Sequence, residues 1–416
     1  MRRAVLLLAL LALLALAATP LAPTAQAASA TCEAMRGWLV RGGGSASGLV
    51  VMDAGSQKVL CARAPNRPRS LASNTKLFTT AAALSELGPD YRIPTRLYTD
   101  GTVDRNGVLR GSLYLRGGGD PALGSPAFYG RYLGGLGTNL FALKAQVRAA
   151  GIERVTGRLY ADDTVFDRLR GVADSGYATS FYIGPLSGLA FNSGYRDSRA
   201  SGFASDPAKV AAASLGRALR GAGVALRAGV ALRPTPPGAQ MLGAVRSPTI
   251  ESLAEATNVP SNNFYAEMLV KLLGAEVGGG GTTAAGTAVV ERFARSVGAN
   301  VQAVDGSGLT RGNRARPWDV VRLLAAMHRG EAADEFIQGL ALSGREGTVD
   351  DRMDGTAAEA RCRTKTGTLT GVSALSGYCF NRSGRVVVFS ILMASVYDLG
   401  LAHFAQDRIA AMVASY

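Results

Sequence analysis

Histidine is nearly missing from this sequence: His328 and His403 are its 2 His in 416 residues. A His-rich metal site is thereby excluded, and a Ser-His-Asp relay would have to recruit one of these two, each of which sits in a helical pattern. Only 4 Cys are present, too few for a disulfide-built miniature scaffold at this length. Lys and Arg form no concentrated run and no zinc-ligand spacing occurs, which opposes nucleic-acid binding. Beyond the N-terminus, no apolar stretch reaches membrane-spanning length without charges. What remains is a chain that is 47% hydrophobic and 18% charged, enough to bury a sizeable core. Its formal net charge of +14 suits anionic surroundings, such as an acidic cell-wall polymer.

The N-terminus reads as an export signal over residues 1–30. Met1-Arg2-Arg3 gives a positive start and residues 5–18 are apolar, with Ala25-Gln26-Ala27 and Ala28-Ser29-Ala30 as acceptable cleavage sites. An exported protein without a transmembrane segment in its mature form is expected. The cysteines agree with an oxidising compartment. Cys362 and Cys379 stand equally far on either side of Thr370-Gly371, a tight turn between two strand patterns, so they face each other across the ladder. Cys32 and Cys61 are then the second pair, with four free thiols as the alternative that a thiol count would expose.

Along the chain, residues 48–63 alternate apolar and polar side chains around Asp53-Ala54-Gly55-Ser56, a hairpin signal, and 73–87 read as a helix stopped by Gly88-Pro89. From about residue 93 the pattern turns to short strands and glycine turns (96–99, 108–115, 157–161, 224–232), interrupted by helical stretches at 139–150 and 206–219. After Ser247 helices dominate, at 250–256, 263–273, 284–297 and 317–328, with Gly278 to Gly281 as a flexible connection. Strands at 361–365, 372–380 and 386–393 and a helix at 399–413 close the chain. The economical reading is one α/β domain made of 31–92 and 247–416, its antiparallel sheet joining the early hairpin to the late strands, with 93–246 inserted as an α+β unit.

Three short motifs carry chemistry. Ser73-Asn74-Thr75-Lys76 opens a helix, and a spacing of three residues puts hydroxyl and amine on one face. A serine hydroxyl is a weak nucleophile and needs a base; lysine can be that base only when neutral, so burial must bring its pKa from about 10.4 towards 7. Ser261-Asn262-Asn263 follows Pro260 on an inter-helix turn, where a hydroxyl and an amide can relay a proton and hold a carbonyl. Lys365-Thr366-Gly367-Thr368 lies on the strand entering the Cys362 hairpin, in a chain whose other lysines are few.

Ser-x-x-Lys, Ser-x-Asn and Lys-Thr-Gly, in that order and on those elements, form the signature of serine β-lactamases and penicillin-binding proteins. Further strings narrow the resemblance: Gly117-Gly118-Gly119-Asp120-Pro121, Ala161-Asp162-Asp163-Thr164-Val165-Phe166-Asp167, Asp305-Gly306-Ser307-Gly308-Leu309 and Lys365 through Tyr378. The chain resembles the D-alanyl-D-alanine carboxypeptidase/endopeptidases, the class C low-molecular-mass penicillin-binding proteins, and the long gap between Lys76 and Ser261 is similar to theirs. The resemblance implies a β-lactamase/transpeptidase-like domain with an inserted domain. The short connection between Asn192 and Asp206 departs from larger members and implies that their third domain is reduced or absent.

The resemblance also implies roles. Ser73 would attack the D-Ala-D-Ala carbonyl and Lys76 accept its proton; Ser261 and Lys365 would pass a proton to the leaving D-alanine. Asn263 would bind the substrate amide, the N–H groups of Ser73 and Thr368 form the oxyanion hole, and Thr366 and Thr368 hold the terminal carboxylate. No metal or organic cofactor is implied. The partners would be peptidoglycan stem peptides and β-lactams. Asp162, Asp163 or Asp167 would receive a distal amine of the stem peptide, Asp163 first among them. A serine β-lactamase and a catalytically inactive wall-binding protein are the alternatives, separable by nitrocefin turnover and by release of D-alanine.

Overall fold

A computed structural model describes residues 25–381 and 384–416; the export-signal reading of the first 24 residues lies outside them. The chain enters through helix α1 (Ala25–Gly43), which no periodicity had announced, then hairpin β1 (Gly48–Asp53) and β2 (Val59–Arg63), then a short 3₁₀ turn Ala72–Asn74 leading into α2 (Thr75–Leu87). A second sheet follows, from β3 (Pro94–Thr99), β4 (Leu113–Arg116), β5 (Leu159–Asp162), β6 (Val230–Leu232) and β7 (Gln240–Arg246), with α3 (Pro207–Gly221) packed against β5. Four further elements are the helices α4 (Ile250–Asn258), α5 (Asn263–Glu276), α6 (Thr283–Ser296) and α7 (Pro317–Arg329). The chain ends with β8 (Ala341–Leu342), β9 (Cys362–Leu369), β10 (Val372–Phe380), β11 (Val386–Ala394) and α8 (Leu399–Val413).

The main sheet has the order β8-β9-β10-β11-β1-β2 and every pairing in it is antiparallel. All six residues of β1 are buried because both faces are covered. Strand alternation sorts them: Leu49 and Val51 pack with Met35 and Leu39 of α1 and Ile409 of α8, while Val50 and Met52 face Leu77, Phe78 and Met268 of the other helical layer. The second sheet, ordered β6-β5-β4-β3-β7, mixes parallel and antiparallel pairs and has its own apolar cluster around Leu97, Leu115, Leu159 and Leu215. The fold class is therefore α/β, a helix-flanked antiparallel sheet accompanied by a second α+β unit.

Cys362 and Cys379 are directly opposed in the β9/β10 register and bridged, and Cys32 of α1 is bridged to Cys61 of β2. The glycine run at 278–281 differs from its reading as a flexible connection. Asp167 N–H donates to the Gly281 carbonyl at 3.0 Å, and a Cβ on Gly281 would sit 1.8 Å from the Val165 carbonyl. Gly281 is glycine because two backbones meet there, and Gly279 because the chain turns there with φ of +81°.

Candidate active site

The nucleophile candidate stands where the chain turns from the short extended segment Arg69–Ser70 into α2. Ala72 has φ of +46°, a left-handed conformation costly for a residue with a Cβ, and it sets Ser73 at the mouth of a cleft of about 710 Å³. One turn later Lys76 is completely buried. Its Nζ lies 3.0 Å from Ser73 Oγ, 2.7 Å from Asn263 Oδ1 and 2.7 Å from the Ser307 carbonyl oxygen. An ammonium fills all three positions as a donor. A neutral amine donates to two of them and keeps a lone pair for the third, and only Ser73 can supply a proton to that lone pair. Burial lowers the Lys76 pKa to about 7, against the opposing carboxylates of Glu267 and Asp305.

Strand β9 forms the opposite wall. Lys365, also fully buried, is held well below its ordinary pKa by desolvation and then by the nearby Lys76 charge, and its Nζ donates to the Thr366 carbonyl at 3.1 Å. Asn74 Nδ2 donates to the Lys365 carbonyl at 2.9 Å and ties the 3₁₀ turn to the strand. A Cβ on Gly367 would come within 2.8 Å of the Leu71 carbonyl and 3.0 Å of Ser73 N, so this close approach requires glycine. Thr366 and the exposed Thr368 line the cleft, and the Thr366 hydroxyl is 2.7 Å from that of Thr348.

Ser261 lies on the turn between α4 and α5 with φ of +59° and faces the same cleft. Asn263 opens α5 and uses both ends of its amide: Oδ1 accepts from Lys76, and Nδ2 donates to the Tyr182 carbonyl at 3.1 Å. The second hydrogen of Nδ2 is left for a substrate carbonyl to accept from. Ser73, Lys76, Ser261, Asn263, Lys365, Thr366 and Thr368 thus converge from three separated stretches of chain.

Asp163 does not join them. It is 3% exposed, paired with Arg170 at 3.3 Å and accepting from Ser187 Oγ at 3.1 Å. Asp162 accepts from Thr164 Oγ1 at 2.6 Å and Thr235 N at 2.8 Å, and Asp167 is bound to the buried Lys271. All three carboxylates are occupied by turns and ion pairs, as short acidic side chains in loops commonly are. The acid that does line the cleft is Asp174, exposed on a segment with Ser175, Ser180 and Tyr182 that overhangs it. No pattern in residues 171–184 marked it: a lone aspartate among small polar residues reads as a loop.

A family model described as the D-Ala-D-Ala carboxypeptidase 3 (S13) family matches residues 41–202 and 195–415. The chain is 32% identical to a D-alanyl-D-alanine carboxypeptidase of Actinomadura sp. (strain R39), covering 90% of this chain and 82% of that one. It is also 32% identical to Carboxypeptidase DacB of Mycolicibacterium smegmatis, over 85% of this chain and 76% of the other. The crystal structure of penicillin binding protein 4 (dacB) from Haemophilus influenzae superposes with a TM-score of 0.77 at 20% identity, over 92% of this chain and 99% of that one, a likeness of fold.

Proposed function

This chain belongs to the D-Ala-D-Ala carboxypeptidase 3 (S13) family, and we propose that it works through Ser73 with Lys76 as its base. It is a serine-type D-Ala-D-Ala carboxypeptidase, an enzyme of the penicillin-binding class. The single observation that carries the assignment of roles is the amine of Lys76, buried and 3.0 Å from Ser73 Oγ with its other two directions taken by acceptors.

In this reading the neutral Lys76 draws the proton from Ser73 as its oxygen attacks the penultimate D-alanine carbonyl. The N–H groups of Ser73 and Thr368 receive the negative oxygen of the tetrahedral intermediate. Its collapse expels D-alanine, whose amine takes a proton from the Ser261 and Lys365 side of the cleft. Water then hydrolyses the acyl-enzyme ester. A β-lactam follows the same first step and remains attached, because the nitrogen expelled when its ring opens stays tethered to the acyl group and cannot depart as D-alanine does. Thr366 and Thr368 hold the terminal carboxylate beside the Lys365 charge. The natural substrate is a peptidoglycan stem peptide ending in D-Ala-D-Ala, reached by an exported enzyme; the two disulfides support that location. If the stem peptide carries a distal amine, Asp174 replaces Asp163 as the acid placed to meet it.

Labelling with fluorescent penicillin followed by peptide mapping tests the assignment. Attachment at the Ser73 peptide is expected, together with release of D-alanine from a D-Ala-D-Ala peptide; attachment elsewhere would overturn it.

A further inference from the structure

The buried carboxylate of Glu267 takes no part in the steps above, although it stands one helical turn after Asn263 on α5 and has no exposed surface. Its Oε1 accepts from Ser307 N at 2.7 Å and its Oε2 from Gly306 N at 3.3 Å. Those two peptide units belong to the loop that presents the Ser307 carbonyl to Lys76 Nζ at 2.7 Å. The loop is gripped from the other side as well. Asp305 accepts from Gly308 N and Thr310 N at 2.7 and 2.8 Å, and Thr79 Oγ1 donates to the Gly306 carbonyl at 2.9 Å. It also fits tightly: a Cβ on Gly306 would lie 2.5 Å from the Ala266 carbonyl, and one on Gly308 would lie 1.8 Å from the Ala72 carbonyl.

We propose that Glu267 is a positioning residue for catalysis, one that fixes the Ser307 carbonyl under the Lys76 amine and biases the proton affinity of that amine. The proposal rests on the Ser73–Lys76 reading above. A loop with two adjacent N–H groups aimed at one carboxylate has a single registry, and in that registry one Lys76 hydrogen is directed away from Ser73. With that direction and Asn263 both occupied, the lone pair of the neutral amine points to the nucleophile. Slippage of the loop would free Nζ to turn, and general-base catalysis is lost when the base is misdirected.

The electrostatic half has a definite sign. The charged groups facing Glu267 are Lys76 on α2, Asp305 on the loop, and Lys271 one turn further along α5. Burial and then the Asp305 carboxylate raise its proton affinity above that of an ordinary carboxylate. Whenever it is ionised, Glu267 favours the protonated, inactive amine; removing the carboxylate therefore moves Lys76 towards the neutral form at lower pH.

The decisive experiment compares Glu267→Gln and Glu267→Asp with the wild type in the full chain, reading penicillin acylation rate against pH together with thermal stability. Gln brings an N–H₂ against the loop amides and carries no charge. Its plateau rate is expected to fall about 100-fold, with the acid limb shifted to lower pH. Asp keeps the charge but not the reach, so its plateau is expected to fall about 10-fold while the limb stays in place. A lowered melting temperature with an unmoved limb and an unchanged plateau in Gln would reduce the residue to a structural one and overturn the proposal. Should Glu267→Gln fail to fold, wild-type acylation by Glu267→Asp overturns it equally. Wild-type protein that takes no label at Ser73 would instead sink the functional reading, a different outcome.

Discussion

The cleft and the Asp162–Asp167 corner both bury charge, yet they treat it in opposite ways. Around the corner each acid has its cation or its turn: Asp163 with Arg170, Asp167 with Lys271, Asp162 with Thr164 and Thr235. In the cleft, Lys76 and Lys365 are both desolvated with no carboxylate in direct contact, and both have lowered proton affinity. Compensated charge builds structure, and under-compensated charge is free to exchange a proton at neutral pH. Composition does not distinguish the two cases, since both are short polar motifs beside apolar runs.

Breaking the cleft should give the largest effect. Ser73→Ala is expected to abolish penicillin labelling outright, and Lys76→Ala to slow acylation by up to about 10⁴-fold, measured as label incorporated against time. Unimpaired acylation by Lys76→Ala would erase the contrast between the regions. Next, the wild-type rate should depend on pH through Lys76. Its pKa is about 7; the amine must be neutral to act, so acylation is lost as pH falls through that value and is retained above it. A rate flat from pH 6 to 8 would contradict this, and those two pH values are about one unit either side of neutrality.

At the corner the expected loss is of stability. Asp167→Ala leaves Lys271 buried without its partner and should destabilise the fold by about 3 kcal/mol in urea, with labelling of the remaining folded protein intact. The smallest effect separates the two aspartates. Asp163→Ala should lower the melting temperature and reduce turnover equally for peptides with and without a distal amine. Asp174→Ala should leave stability alone and reduce turnover about 10-fold only where the amine is present. Reversal of that pattern would restore Asp163 to the substrate site.

The local elements were legible where periodicity was strong. The helix at 399–413 and the strand at 372–380 were read to the residue, and the Cys362–Cys379 bridge followed from counting outward from Thr370-Gly371. Helix α1 was hidden because its small residues also suit a signal cleavage site, and its pairing with α8 is a contact between opposite ends of the chain. Glu267 lies inside the apolar run from Phe264 to Leu273, where a single acid looks like a tolerated exception; the Asp305 to Leu309 string stands out in the sequence, but its attachment to that acid does not.

Sequence alone determined which chemical groups this protein possesses and on which elements they ride, because nucleophile, base and strand lysine are each specified by neighbours a few residues away. Only tertiary structure decided which of its charges are left uncompensated. Desolvation and pairing are set by groups hundreds of residues apart along the chain: Ser307 reaches Lys76 across 231 positions and Lys271 reaches Asp167 across 104. The proton affinity that makes a lysine a base, or a buried aspartate a mere anchor, is a property of that assembled surrounding rather than of the motif.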